Sequence, residues 1–218
     1  MSECGLLILI PAYNEKATIS DVISQAKEYG DVTVLDDASS DDTRERAVKV
    51  GANVVSNDKN LGYEKNLGLG FKAALGNHKY SYLVTIDGDG EHNPDDIPRY
   101  LEKLASGAHL VCGRRSSKNR FSEEIWGQFG SRFYGIHDPL CGFKGYSLEY
   151  IRSSGIPLTS NSLGDIIGTT LLKKMLNLKC TYENINIKVS KREGESKFGV
   201  GIKVNFTILT ALVQFLRA

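Results

Sequence analysis

In the stretch TIDGDGEHNPDD, residues 85–96, Asp87, Asp89 and Glu91 alternate with glycines directly after a hydrophobic run. Carboxylates spaced in this way suit three roles. A calcium loop would take oxygens from positions 1, 3 and 5, but it needs glycine at position 6, glutamate at position 12 and a helix before it. This chain has His92, Pro98 and a strand in those places, which excludes the calcium loop. In a plain turn, the Asp-Gly pairs only let the chain reverse. In a metal site, Asp87 and Asp89 are hard oxygen donors suited to Mg²⁺ or Mn²⁺, with Glu91 nearby and further oxygens from a substrate diphosphate. Such a cation neutralises charge on a departing phosphate, and the glycines let a bulky ligand approach the backbone. Taken alone, the segment leaves the turn and the metal site both open.

These residues need a scaffold, and the flanking pattern supplies one. Leu6–Ile10 is a continuous apolar run ended by Pro11, as in a strand covered on both faces. Ile19, Val22, Ile23 and Ala26 then recur at helical spacing. The unit repeats: a strand at 32–37 and a helix near 42–50, a strand at 53–56 and a helix near 67–75, a strand at 82–86 and a helix near 94–105. This alternation predicts a single α/β domain on a mostly parallel sheet flanked by helices. Ligands of such sheets bind beyond the carboxyl ends of the strands, where PAYNE, DDASSDDT and DGDGEH all fall. After a strand at 109–115 the rhythm changes. Residues 116–137, with Phe121, Trp126, Phe129, Phe133 and Tyr134, read as a loop or an irregular amphipathic helix. A strand over 138–147, helices near 147–154 and 163–176, a strand around 180–189 and an amphipathic helix over 202–216 complete the expectation.

Composition narrows the function classes. With 27 basic and 26 acidic residues in 218, the net charge of +1 gives no bulk field toward nucleic acid. Cys4, Cys112, Cys141 and Cys180 are scattered, without a C-x-x-C pair, which argues against a zinc ribbon and for reduced thiols in a cytosolic protein. No run approaches the roughly 18 apolar residues of a membrane span, and the N-terminus lacks a basic region and a cleavage site. A cytoplasmic protein, peripheral at the inner face of a membrane at most, is expected.

The order of motifs adds what no single one provides. PAYNE (11–15), VLDDASSDDT (34–43), NLGYEKNLGLGFKAAL (60–75), TIDGDGEHNPDD, GRR (113–115), DPLCGFKGY (138–146) and REGESK (192–197) together resemble the family 2 glycosyltransferases of GT-A fold. More narrowly, they are similar to the dolichol-phosphate mannosyltransferase and polyprenyl-phosphate glycosyltransferase branch. The resemblance implies a nucleotide-binding half at 1–113 and an acceptor-binding half at 114–218 that ends in a C-terminal helix. It further implies a UDP- or GDP-sugar donor and Mg²⁺ or Mn²⁺ as cofactor. Pro11, Tyr13 and Glu15 match the family's nucleotide pocket, and Asp37 matches the acid that bonds the base. Asp87 and Asp89 match the metal-binding D-x-D, with Glu91 where the branch usually has glutamine. Arg192 and Lys197 resemble a basic element that folds over the diphosphate, and Arg114 and Arg115 follow a strand where relatives carry arginine near an acceptor phosphate. Two departures stand out: Gly68 lies where relatives commonly have a basic residue, with Lys65 three positions earlier, and the hydrophobic C-terminal extension of many relatives is absent.

The mechanism so implied is an inverting transfer in which Asp89 ligates the metal, Asp87 shares it or holds the ribose, and Arg192 offsets charge on the nucleotide. A lipid phosphate acceptor needs cations, for which Arg114, Arg115, Arg120 and Arg132 are candidates. A hydroxyl of a growing glycan needs a carboxylate base, for which Asp165 is the candidate. The aromatic region 116–137 and the C-terminal helix serve equally as a lipid-facing surface, a cover for the sheet or a homodimer interface. A rival of another class is an inactive homologue that binds nucleotide sugars for regulation. A nucleotidyltransferase is disfavoured, because PAYNEKAT offers one lysine and no glycine for a phosphate loop.

Overall fold

Residues 5–117, 121–156 and 168–190 are described by a computed structural model of the chain. Within them, one seven-stranded sheet runs in the order β3-β2-β1-β4-β6-β5-β7. The strands are β1 (Gly5–Ala12), β2 (Asp31–Asp36), β3 (Asn53–Ser56), β4 (Tyr80–Thr85), β5 (Leu110–Arg115), β6 (Lys144–Ser147) and β7 (Tyr182–Ile187). β6 runs antiparallel to β4 and β5, and every other pairing is parallel. The helices are α1 (Ile19–Ala26), α2 (Thr43–Lys49), α3 (Tyr63–Gly76), α4 (Ile97–Ala105), α5 (Phe121–Tyr134), α6 (Leu148–Ser153) and α7 (Thr169–Asn177).

Alternation along β1 explains its unbroken apolar sequence. Leu6, Ile8 and Ile10 join one core layer with Ile19, Val22 and Ile23 of α1 and Tyr100 and Leu104 of α4. Leu7 and Leu9 join the other with Leu67 and Phe71 of α3, Ile151 of α6 and Met175 of α7. With both faces covered, neither register of the strand tolerates polar side chains. The C-terminal ends of β1, β2 and β4 are thereby fixed side by side.

Arg152 of α6 ties the far end of this half together. Its guanidinium donates to the carbonyls of Ala74, Leu75, Asn77 and Tyr80 at 3.0–3.2 Å, closing the C-terminus of α3 against β4. Hydrogen bonds from a charged group contribute about 1.5–3 kcal/mol. Arg152→Ala is expected to lower unfolding free energy by about 2 kcal/mol, read as a lower urea midpoint at an unchanged slope.

Two expectations are corrected or refined. Residues 116–137 hold a regular helix, α5, in which Gly127 and Gly130 weaken the local propensity but are buried beside the fully buried Trp126. The strand expected over 138–147 is only four residues long. Before it, Cys141 N–H closes a turn onto the Asp138 carbonyl at 3.2 Å, and the Asp138 carboxylate is engaged by Arg115, so the chain cannot run straight. The halves expected at 1–113 and 114–218 share β5, which spans their boundary. The C-terminal helix at 202–216 lies outside the described residues, as does the first part of the helix expected at 163–176. Among the described residues, no helix is long and apolar enough to cross a membrane.

Candidate active site

Past Ala12 the chain turns at Asn14, whose φ is 54°. Asn14 N–H donates to Ser39 Oγ at 3.0 Å, Asn14 Oδ1 accepts from Ser40 N–H at 2.8 Å, and Glu15 N–H donates to Thr43 Oγ1 at 2.7 Å. The loops after β1 and β2 are thus joined by their own polar groups. Pro11 is buried in β1, Glu15 is half-buried, and Tyr13 is exposed at the mouth.

Asp37 is buried just beyond β2. Its carboxylate accepts from Asn57 Nδ2 at 2.9 Å and from the N–H groups of Leu61 and Gly62, both at 2.8 Å. That clamp orders the segment leading into α3. The first residue of α3, Tyr63, then donates its hydroxyl to Asp87 Oδ1 at 3.3 Å. One hydrogen-bonded path therefore runs from the end of β2 to the end of β4.

Around Asp87 and Asp89 the backbone is held from two sides. Thr18 Oγ1 donates to the Gly88 carbonyl at 2.7 Å. Gly90, at φ 75°, takes the left-handed conformation that glycine adopts freely, and Asp89 Oδ1 accepts from Glu91 N–H at 3.1 Å. Across the sheet, Thr85 Oγ1 donates to the Gly142 carbonyl at 2.6 Å. A side chain at Gly142 would put its Cβ 2.7 Å from Asp87 Oδ1 and displace that carboxylate. Buried Lys144 follows, its ammonium donating to the Cys141 carbonyl.

Burial, and next the charge of Asp89, push the Asp87 carboxyl up to about 6, opposed by the Tyr63 hydroxyl, Lys144 and Arg115. Burial likewise pushes Glu64, whose carboxylate tip abuts Gly168 although the residue is exposed, up to about 7, with Lys144 opposing. His92 is pulled down to about 4 by burial and is neutral at pH 7. Two carboxylates crowded at a strand end are the donor set a hard divalent cation would relieve. Among the described residues no three acidic, histidine or cysteine side chains form a cluster able to hold a metal. Asp87 and Asp89 form the crowded pair, and Glu91, expected as a third donor, follows two residues on, its backbone N–H bonded to Asp89 and its carbonyl to Ser190 N–H at 2.8 Å. A pair fits Mg²⁺ or Mn²⁺, which use few carboxylates and keep positions for water and phosphate oxygens.

This crowding predicts a pH effect. Unfolded Asp87 ionises near 3.8 and folded Asp87 near 6, so its charge opposes folding above about pH 6 and the penalty is gone below about pH 4. In chelator, Asp87→Asn should therefore melt several degrees above the parent at pH 8, on the order of 2 kcal/mol, and level with it near pH 4. Thermal melts of both proteins across this range test the sign.

The remaining expected residues separate. Arg115 turns inward: its Nε and Nη2 bond Asp138 at 2.7 and 3.0 Å, and Nη1 is 3.4 Å from Glu123 Oε2. Its guanidinium is held by two internal carboxylates rather than facing an acceptor. Arg114 and Arg132 are exposed, Arg132 lying 5.8 Å from the Phe133 ring centre. Arg120, Asp165, Arg192 and Lys197 lie outside the described residues. Tyr63, His92, Gly142 and Lys144 were not singled out in the sequence, although all four stand inside motifs that it did single out. Cys141, His92 and Asp87 stand in series, but the Cys141 thiol is buried and pushed up to about 12, so it is no nucleophile.

Comparisons with known proteins agree with this architecture. The family model described as Glycosyl transferase family 2 matches residues 7–162. An uncharacterised protein of Methanocaldococcus jannaschii is 33% identical over 168 residues, which is 67% of this chain and 73% of that protein. The polyprenol monophosphomannose synthase of Mycolicibacterium smegmatis is 25% identical over 88% of this chain and 80% of its own. Among solved structures, glucosyl-3-phosphoglycerate synthase from Mycobacterium tuberculosis, in complex with Mn²⁺, uridine diphosphate and phosphoglyceric acid, aligns with a TM-score of 0.75 at 22% identity, over 98% of this chain and 78% of that one.

Proposed function

Since the chain belongs to glycosyl transferase family 2 and is a glycosyltransferase, we propose that it moves a sugar, with inversion, from a UDP- or GDP-sugar to a polyprenyl or dolichyl phosphate. The observation that carries this reading is the crowded pair Asp87 and Asp89 beyond β4, with the Asp87 carboxyl pushed up to about 6. Asp89 and Asp87 would hold Mn²⁺ or Mg²⁺, and a bound cation supplies charge neutralisation at the leaving diphosphate. The chain does the rest. Pro11, Tyr13 and Glu15 wall the nucleotide, and Asp37, which already accepts three hydrogen bonds, keeps one acceptor site for the base. Arg192 and Lys197, which lie outside the described residues, would offset charge on the diphosphate, as the family resemblance implies.

A phosphate acceptor is ionised near neutral pH and needs no base, only cations to hold it. Exposed Arg114 and Arg132, together with Arg120, supply them. The name of the M. smegmatis relative supports a lipid phosphate. Phe121 and Phe133, 75% and 66% exposed on α5, support peripheral contact with the inner face of a membrane. Phe121→Ser with Phe133→Ser should then release the protein from co-sedimenting liposomes.

A second reading, transfer to a hydroxyl, is favoured by the phosphoglyceric acid in the M. tuberculosis structure, and would use Asp165 as base. One experiment separates the readings: UDP- and GDP-sugars with Mn²⁺ or Mg²⁺, scored for thermal shift and for nucleoside diphosphate release. Release that requires polyprenyl phosphate supports the first reading, and release that requires a glycan hydroxyl supports the second. Shift without release under any acceptor supports an inactive binding homologue. No shift with any donor overturns all three.

A further inference from the structure

His92 has a polar atom that its own surroundings leave unmatched. The residue is 3% exposed, bridges to Val189 and tilts against the Phe143 ring at 5.5 Å. Its Nε2 stands 3.8 Å from Cys141 Sγ. Its Nδ1 is buried without a hydrogen-bond partner among the described residues, yet Asp87 Oδ2 lies 3.7 Å away. A buried polar group left unmatched costs about 1–3 kcal/mol, and an apolar side chain would pack against Phe143 without that penalty. The gap is only about 0.8 Å longer than an ordinary N–H···O bond.

Asp87 is slack in the same sense on its other side. The Tyr63 hydroxyl reaches Oδ1 at 3.3 Å, well beyond the roughly 2.7 Å of an ordinary O–H···O bond. The carboxylate thus stands between two donors, one per oxygen, with Gly142 keeping the space beside it open. Two donors on opposite oxygens define the plane of a carboxylate, which one alone does not. We propose that His92 is a positioning residue for Asp87, donating Nδ1–H to Oδ2 while Tyr63 holds Oδ1, so that the carboxylate is presented in one orientation to the cation and the donor diphosphate. The inference rests on the reading of Asp87 given above.

The tautomer this requires is one that Cys141 can support. Its protonated thiol donates either to Nε2, which leaves the ring proton on Nδ1 as proposed, or to the Phe143 carbonyl at 3.9 Å, which leaves it on Nε2. Where the ring proton sits is therefore measurable and decisive.

Three substitutions separate positioning from packing. Asparagine at 92 sets an amide nitrogen near the place of Nδ1, glutamine sets one near Nε2, and leucine fills the volume without a donor. With Mn²⁺ alone as the probe, titrated calorimetrically, His92→Leu and His92→Gln should bind about tenfold or more weakly, and His92→Asn within about threefold of the parent. Wild-type affinity in the leucine variant, or asparagine no better than leucine, overturns the proposal. Nitrogen-15 NMR of the metal-free protein should show His92 protonated at Nδ1, with its shift moved by Asp87→Asn; a proton on Nε2, or no response, overturns it as well. Failure of the parent to bind Mn²⁺ would count against the metal reading of Asp87, while the NMR result would still decide the His92 to Asp87 bond.

Discussion

Asp89→Asn is expected to lower sugar transfer by about 10²- to 10³-fold while leaving the fold as stable as before. Asp89 is 7% exposed, and its Oδ1 accepts the Glu91 N–H, a bond that an amide oxygen accepts equally well. The loop after β4 therefore keeps its shape. What disappears is one formal charge from the pair, and removing a single electrostatic contributor to a phosphate-departing transition state has about that effect on turnover. The same change relieves Asp87, whose carboxyl is held up in part by the Asp89 charge. Melting temperature at pH 8 in chelator should stay level or rise as activity falls. Turnover measured against Mn²⁺ concentration, alongside the melt, checks both halves; unchanged turnover would remove the metal assignment.

Arg115→Ala is expected to do the reverse, acting on the fold. The guanidinium bonds Asp138, itself 1% exposed, through two nitrogens and stands beside Glu123, 5% exposed. Removing the guanidinium from a buried ion pair leaves the Asp138 carboxylate charged without its cation, which destabilises by about 3–5 kcal/mol. For a domain of this size that is on the order of 10 °C in melting temperature. Urea denaturation of the variant gives the figure directly. A loss under about 1 kcal/mol would mean that the triad contributes little, and would return Arg115 to the pool of acceptor-binding cations.

The adjacent arginines show what was and was not legible. Period-two alternation along β5 sends Arg114 outward and Arg115 inward, a difference any strand imposes. The motif GRR contains no sign of which is which, because the answer depends on Asp138 and Glu123 arriving from later in the chain. The first four strands and their helices were readable because each is a short apolar run covered on both faces, a signal local to the run. Asp37 was expected as a site acid from the resemblance of VLDDASSDDT to its family. That its oxygens order residues 57–62 was not, since those donors carry no pattern of their own. β6 was the hardest. A four-residue strand beginning with lysine reads as surface, and Lys144 is tolerated inside only because the Cys141 carbonyl and the charges of Asp87 and Glu64 surround it. Helix α5 was obscured by two glycines whose weakness as helix formers is overridden by the burial of Trp126 and its neighbours.

The antiparallel strand β6 also sets an order of assembly. β1 to β4 can pair as soon as residue 85 has been synthesised, each connection crossing a single helix. β4 and β5 then both present open edges until residues 144–147 arrive and fill the gap between them, joining positions 59 apart at Thr85 and Lys144. Closing so long a loop is slow, and unpaired strand edges invite contact with other chains while they wait. The newborn protein is thus exposed to misassembly at an edge of β4, the strand that Asp87 and Asp89 follow. Among the described strands β6 is the sixth of seven in chain order, so a half-made chain has the loops after β1 and β2 but not the surroundings of Asp87 that Gly142 and Lys144 complete.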